Sequence, residues 1–308
     1  MVDGWPNILL RFAIYADLMV LFGVPLFAAR VVGAREQPPW LAWRYMALTS
    51  TSAGLGAVLS VVGLMVMATQ MVGAADLSEV TRHVLEMVVT RTDAGISWVV
   101  RIAALAVCLV AVPVFRKRPA VLFAVVSGAG AVALGALGWT GHGAMDEGAR
   151  GAVHLTSDVL HLLAAGAWVG ALVGFVLLSL GGRGNIAHSL ETLRRSAAAF
   201  ASTGTVIVAV LFVTGVANYV LIAGASWEPL FTTVYGRLLA AKLAVVVLML
   251  GLAAANRYVF GPRLDRAAAA SGRPTAVRAL RRSLATEATL GFVVLALVAW
   301  LGVLSPQP

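Results

Sequence analysis

The 308 residues are 60% hydrophobic and only 12% charged, with a formal net charge of +9. A soluble domain carries about 25% charged residues, so this composition excludes a water-dissolved enzyme and points to a chain solvated by lipid. The single cysteine, Cys108, excludes an intrachain disulfide and any paired-cysteine metal motif; inside an apolar window it reads as a small packing residue.

A helix needs about 20 predominantly apolar residues to cross a hydrocarbon layer about 30 Å thick. Such windows fall at 8–29, 45–70, 96–115, 120–140, 153–180, 200–222, 237–256 and 284–304. They predict an all-α fold, a polytopic bundle of about eight transmembrane helices, as a single membrane domain over 1–308. The alternation of a barrel is absent, and helices are then the form that satisfies backbone hydrogen bonds in lipid. No basic n-region with a cleavage site precedes the first window, so it is expected to stay in the membrane as a span. Between 71 and 97, Val80, Val84, Met87 and Val88 recur at helical spacing among charged residues, which predicts a short interfacial helix. In the segment 257–283, Ala267 to Ala270 predict an extension of the seventh helix.

Lys and Arg sort onto alternate connections. Arg30, Arg35 and Arg44 come first, then Arg116, Lys117 and Arg118, then Arg183, Arg194 and Arg195. The last group is Arg257, Arg263, Arg266, Arg273, Arg278, Arg281 and Arg282. The opposite connections pair Arg82, Arg91, Arg150 and Arg237 with Asp76, Glu79, Glu86, Asp93, Asp146, Glu147 and Glu228. By the positive-inside rule the arginine-rich side is cytoplasmic and both termini lie outside. Topology thus accounts for the basic charge, and nucleic-acid binding is not expected.

Ionisable residues inside spans are costly and are functional candidates by default. Arg11 and Asp17 fall in the first span, Arg101 in the third, Asp158 and His161 in the fifth, Lys242 in the seventh and Glu287 in the eighth. Arg11, Asp17, Arg101 and Lys242 read as an intramembrane charge network, with Asp17 or Asp158 expected within salt-bridge reach of Arg11, Arg101 or Lys242. The bland reading is that the basic side chains snorkel or tie helices together. Glu287 reads as an interfacial ion pair with Arg281 or Arg282.

Three of the five histidines, His142, His154 and His161, fall within 20 residues around one outer connection. His154, Asp158 and His161 stand at i, i+4 and i+7, sharing a helical face about 60° wide. Imidazole and carboxylate on one stripe suit a metal or proton site. His154 and His161 are about 10.5 Å apart along the axis, which favours two stations in series. The outer one uses His142 and His154 with Met145; the deeper one uses His161, with Asp158 as ligand or orienting group. Met65, Met67 and Met71 read as packing residues, and His83 and His188 as solvated.

At these residues the chain resembles the CopD family of bacterial copper-resistance and copper-uptake membrane proteins. The resemblance is carried by Gly141-His142-Gly143, by His154, His161 and Trp168-Val169-Gly170, by TGVANYV at 214–220, by YGRLLAAKL at 235–243 and by ANRYVFGPRL at 255–264. Gly95, Trp98, Arg101, Glu287 and Pro306 also fit, whereas the first 90 residues fit only as two generic spans. The resemblance implies copper handling in a bacterial inner membrane, with copper moving from periplasm to cytoplasm, and a periplasmic CopC-like copper-binding partner. A Met-rich or His-rich loading loop is absent, so Cu(I) and Cu(II) both stay open, as does oligomeric state. No phosphate-binding loop is present, so an ATP-driven mechanism and an enzymatic role are not expected. The rival reading is haem b electron transfer, which needs a second histidine opposite His161. A third is a copper-binding assembly subunit that moves nothing.

Overall fold

Pro6 stands in the first turn of α1 (Trp5–Phe27), where its missing N–H is harmless. Pro25 precedes a change to π-helical geometry over Ala28–Gly33. After α1 come α2 (Pro39–Val72), α3 (Arg82–Arg91), α4 (Asp93–Phe115) and α5 (Pro119–Gly135), the last ending in a 3-10 turn to Thr140. Then follow α6 (Gly148–Ser179), α7 (Ile186–Ala223), the single-turn α8 (Pro229–Thr232), α9 (Val234–Ala255, continued by a π turn over Asn256–Phe260) and α10 (Arg273–Leu301). This computed structural model describes residues 4–33, 39–73, 79–140, 148–180, 186–224, 228–260 and 273–304; among them there is no strand.

Eight of these helices are long and apolar enough to cross a membrane. They match the eight hydrophobic windows, but several run well past them. α7 starts at Ile186 and α10 at Arg273, ahead of the windows at 200 and 284. Hydrophobicity marks only the part of a helix inside hydrocarbon; the backbone ladder continues into polar surroundings wherever propensity allows. Arg194 and Arg195 therefore lie on α7 itself, where both engage Glu191 one turn earlier. A short helix, as expected between 71 and 97, is present as α3. Thr81 caps it by accepting from Val84 N, and Val88 is buried against Leu64 and Ala68 of α2. Met65 and Met67 belong to that same apolar contact, and Met71 is exposed. Ala267 to Ala270 lie outside the described residues.

Packing is uneven around the bundle. α6 is the most enclosed, buried over 67% of its apolar window, followed by α1 and α5 at 56% each, whereas α9 is buried over only 6%. The centre rests on a close approach of α1 to α6. A methyl built on Gly23 would fall 2.8 Å from Gly170 Cα, so neither position admits a side chain. Small residues at such crossings let helices in lipid gain van der Waals contact where burial from water supplies no drive. The Tyr45 hydroxyl of α2 donates to Gly174 O (3.2 Å), fixing α2 to the same face of α6. Cys108 is buried in the apolar core, as a packing residue should be.

Candidate functional site

The opposite face of α6 is polar. Its neighbour α7 carries Thr214 and Asn218 one turn apart, and these meet Ser157, Asp158 and His161 along the α6–α7 contact. Ser157 Oγ donates to Thr214 O (3.3 Å), and Asn218 Nδ2 donates to Asp158 Oδ1 (3.4 Å). His161 Nδ1 lies 2.9 Å from Thr214 Oγ1.

The direction of that last bond follows from the hydroxyl's other partner. Thr214 Oγ1 is 2.6 Å from Val210 O, a carbonyl that can only accept, so the hydroxyl proton goes there. Toward His161 the hydroxyl then acts as acceptor, and Nδ1 carries the hydrogen. His161 is held as the Nδ1–H tautomer, with the Nε2 lone pair available to a metal.

His154 stands two turns away on the same stripe of α6 and is buried, 3% exposed. Lys242 of α9 and His154 both lie within Coulombic range of Asp158, and Lys242 also of His161. Tyr235 of α9 and Tyr15 of α1 face the same carboxylate. Asn218 Oδ1 is buried there with no partner. The seam thus carries an imidazole lone pair, a carboxylate and an unfilled amide acceptor along one helix contact. Beyond it, Trp168 continues the stripe of His154 and His161 at intervals of seven, and packs with Met249 of α9 and Ile207 of α7. The Trp168 indole N–H is also buried without a partner.

The other expected residues are distributed as follows. His142 and Met145 lie outside the described residues, as does the His188 side chain. His83 is exposed on α3. The Arg101 side chain is buried and its Nε donates to Ser60 Oγ of α2 (3.1 Å), beside a bond from Trp98 Nε1 to Ser60 O (2.8 Å). Arg11 reaches Tyr15 and packs against Gly302 at the end of α10. Asp17 sits apart, against Ser52 and Gly56 of α2, with Oδ2 unpaired. Among the described residues, no ion pair within 4.0 Å joins Asp17 or Asp158 to Arg11, Arg101 or Lys242. Lys242 stays within Coulombic range of Asp158, and Tyr15 within range of Arg11, Arg101 and Asp158. Among the described residues, no three of His, Cys, Asp and Glu converge as a ready-made metal cage.

Glu287 departs from the expected ion pair with Arg281 or Arg282. Those arginines precede it by six and five residues, roughly 120–140° around the helix. Arg281 donates to Ser179 O, while Glu287 Oε2 accepts from Asn256 Nδ2 of α9 (2.9 Å). Thr214 and Asn218 were legible only as part of the block 214–220. The signal that could have singled them out is a polar i, i+4 pair in an otherwise apolar span.

Comparison with known proteins bears on this geometry. Residues 1–152 match the family model described as copper resistance protein D-like, N-terminal domain, and residues 194–301 match that of copper resistance protein D. The chain is 41% identical over 301 residues to Copper resistance protein D of Pseudomonas syringae pv. tomato, covering 98% of this chain and 97% of that protein. It is 28% identical over 305 residues to Inner membrane protein YebZ of Escherichia coli (strain K12), covering 97% and 98%. No solved structure matches. The match over 1–152 brings in the first two spans, which sequence motifs alone placed only as generic helices.

Proposed function

This chain belongs to the copper resistance protein D family and is a multi-pass membrane protein with a copper-related function, and we propose that it moves copper inward across a bacterial inner membrane. The observation that carries this reading is the His161–Thr214 bond, which leaves one imidazole lone pair free inside a buried polar seam. Copper is received by an outer station of His142, His154 and Met145, on the side where both termini lie. It then passes to His161 Nε2, two turns deeper. Asp158 either ligates Cu(II) or offsets the charge of Lys242, so that an entering cation does not meet a net positive seam. The arginine-rich connections face the cytoplasm. A periplasmic CopC-like protein supplies the metal. The chain acts as a transporter and not as an enzyme, and His161 lies in it as a relay for cargo.

The test is copper uptake into vesicles containing purified protein, with metal analysis and an absorption spectrum on the same sample. His161→Ala is expected to keep copper at the outer station and lose flux; His154→Ala is expected to lose the outer copper. Unchanged stoichiometry and flux in both variants overturns the reading. A Soret band assigns the seam to haem b instead, and copper binding with no flux in the wild type assigns the protein to copper delivery.

A further inference from the structure

At the other end of α9 lies a second buried polar group that the copper seam does not use. Lys242, Met249 and Asn256 follow one another at intervals of seven, so they occupy one stripe of the helix. Lys242 stands in the seam and Met249 packs on Trp168. Asn256 opens the π turn and meets Glu287 of α10.

The hydrogen-bond inventory of this group is incomplete in one direction. Asn256 gives its amide hydrogen to Glu287 Oε2, and its own Oδ1 is buried with no partner. Ser283 precedes Glu287 by one turn on the same face of α10; it is 8% exposed, and its Oγ also lacks a partner. Glu287 itself is 3% exposed and, among the described residues, makes no ion pair. Arg257, Arg281 and Arg282, among the described residues, point elsewhere. Arg257 donates to Thr205 Oγ1 (3.5 Å), Arg281 donates to Ser179 O, and Arg282 is exposed. α1, which packs against α10, brings no charged residue between Asp17 and the exposed Arg30.

Glu287 and Asn256 therefore meet one helical turn from Ser283, with spare acceptor capacity on Asn256 and Ser283 and, among the described residues, no ion-pair partner for Glu287. A buried carboxylate without a counter-charge and a buried acceptor without a donor are both unfavourable. One small cation relieves both. Oxygen donors are hard and suit an alkali ion or a proton; they are poor partners for soft Cu(I). We propose that Asn256, Ser283 and Glu287 form a binding site for a hard monocation, Na+ or a proton, in line with the copper seam along the α9 stripe. Binding at this site stands by itself. Its role as the ion that drives copper movement rests on the transport reading above.

The experiment uses the full-length protein in phosphatidylethanolamine–phosphatidylglycerol nanodiscs, stripped of copper by chelation, so that its outcome is independent of copper. Thermal unfolding and radioactive Na+ binding are compared in sodium and choline chloride at several pH values. A Na+-dependent rise in Tm with stoichiometric Na+ binding, both lost in Glu287→Gln and weakened in Ser283→Ala, supports Na+. A pH-dependent Tm with no sodium effect, flattened in Glu287→Gln, supports the proton. If wild type and Glu287→Gln respond identically to sodium and to pH, the site is overturned. Should Glu287→Gln fail to fold, Ser283→Ala and Asn256→Ala are read in its place by the same criteria. In copper-loaded vesicles, a sodium or pH gradient is then expected to accelerate wild-type uptake, and Glu287→Gln to lose that acceleration with copper stoichiometry unchanged. Cation binding without copper flux retains the site and rejects transport.

Discussion

On the α1 side of α6, Gly166 and Gly170 remove the side chain altogether; a methyl on Gly170 would collide with the α1 backbone at Gly23, and one on Gly166 would press on Leu134 of α5 and Phe22 of α1. On the α7 side of the same helix, Ser157, Asp158 and His161 reach out and are met by Thr214 and Asn218. One face holds by shape and the other by directional bonds. In lipid the two serve different ends. Small residues secure position, because backbone contact leaves few alternative arrangements. Polar residues add little stability there, since the unfolded chain in the membrane also finds them partners. What they add is chemistry at a fixed place. α6 is thus anchored from behind by shape, while its front presents buried polar groups.

The most forceful way to break that arrangement is from behind. Gly170→Leu forces α1 away from α6 and is expected to cost about 3 kcal/mol or more, the upper range for overpacking. Size-exclusion profiles of the detergent-purified variant should show aggregation; a monodisperse, fully stable Gly170→Leu protein contradicts the backbone contact. An attack from the front should leave the fold intact and abolish copper movement. His161→Ala is expected to melt within a few degrees of wild type while vesicle uptake disappears.

A finer probe is Thr214→Val, which keeps shape and removes the acceptor for His161 Nδ1–H. Loss of such an orienting partner typically weakens metal affinity about 10–100-fold, and Thr214→Ser should restore it. Isothermal titration with Cu(I) and Cu(II) gives the size of the effect, and failure of serine to rescue would make Thr214 a packing residue. The smallest effect belongs to the surface. Arg82 and Glu86 pair on the exposed side of α3 at 2.9 Å, and Arg82→Ala should change stability by less than about 0.5 kcal/mol. A larger change in unfolding midpoint would mean that α3 is held by more than Val88.

Much of the architecture was legible without coordinates because lipid imposes it. Eight apolar windows and arginines on alternate connections require eight helices in series, whatever their packing. Helix ends were less legible, since Glu191, Arg194 and Arg195 satisfy one another on α7 and prolong it beyond the apolar stretch. His154, Asp158 and His161 could be placed on one face because all three lie on one helix. Their neighbours could not. Thr214 is 53 residues from His161 in sequence, and Asn256 is 31 from Glu287; periodicity within a helix says nothing about which helix stands opposite.

The sequence by itself determined that the chain is a helical membrane bundle, which residues carry costly polarity within it, and that its motifs resemble a copper-handling family. Only the tertiary structure decided how that polarity is divided: Asp158 with Asn218, His161 with Thr214, Arg101 with Ser60, Glu287 with Asn256. The reason is physical. Crossing the membrane is set by transfer free energy, summed residue by residue along the chain. A hydrogen bond needs a donor within about 3 Å of an acceptor, and for groups on different helices that distance exists only once the helices have packed.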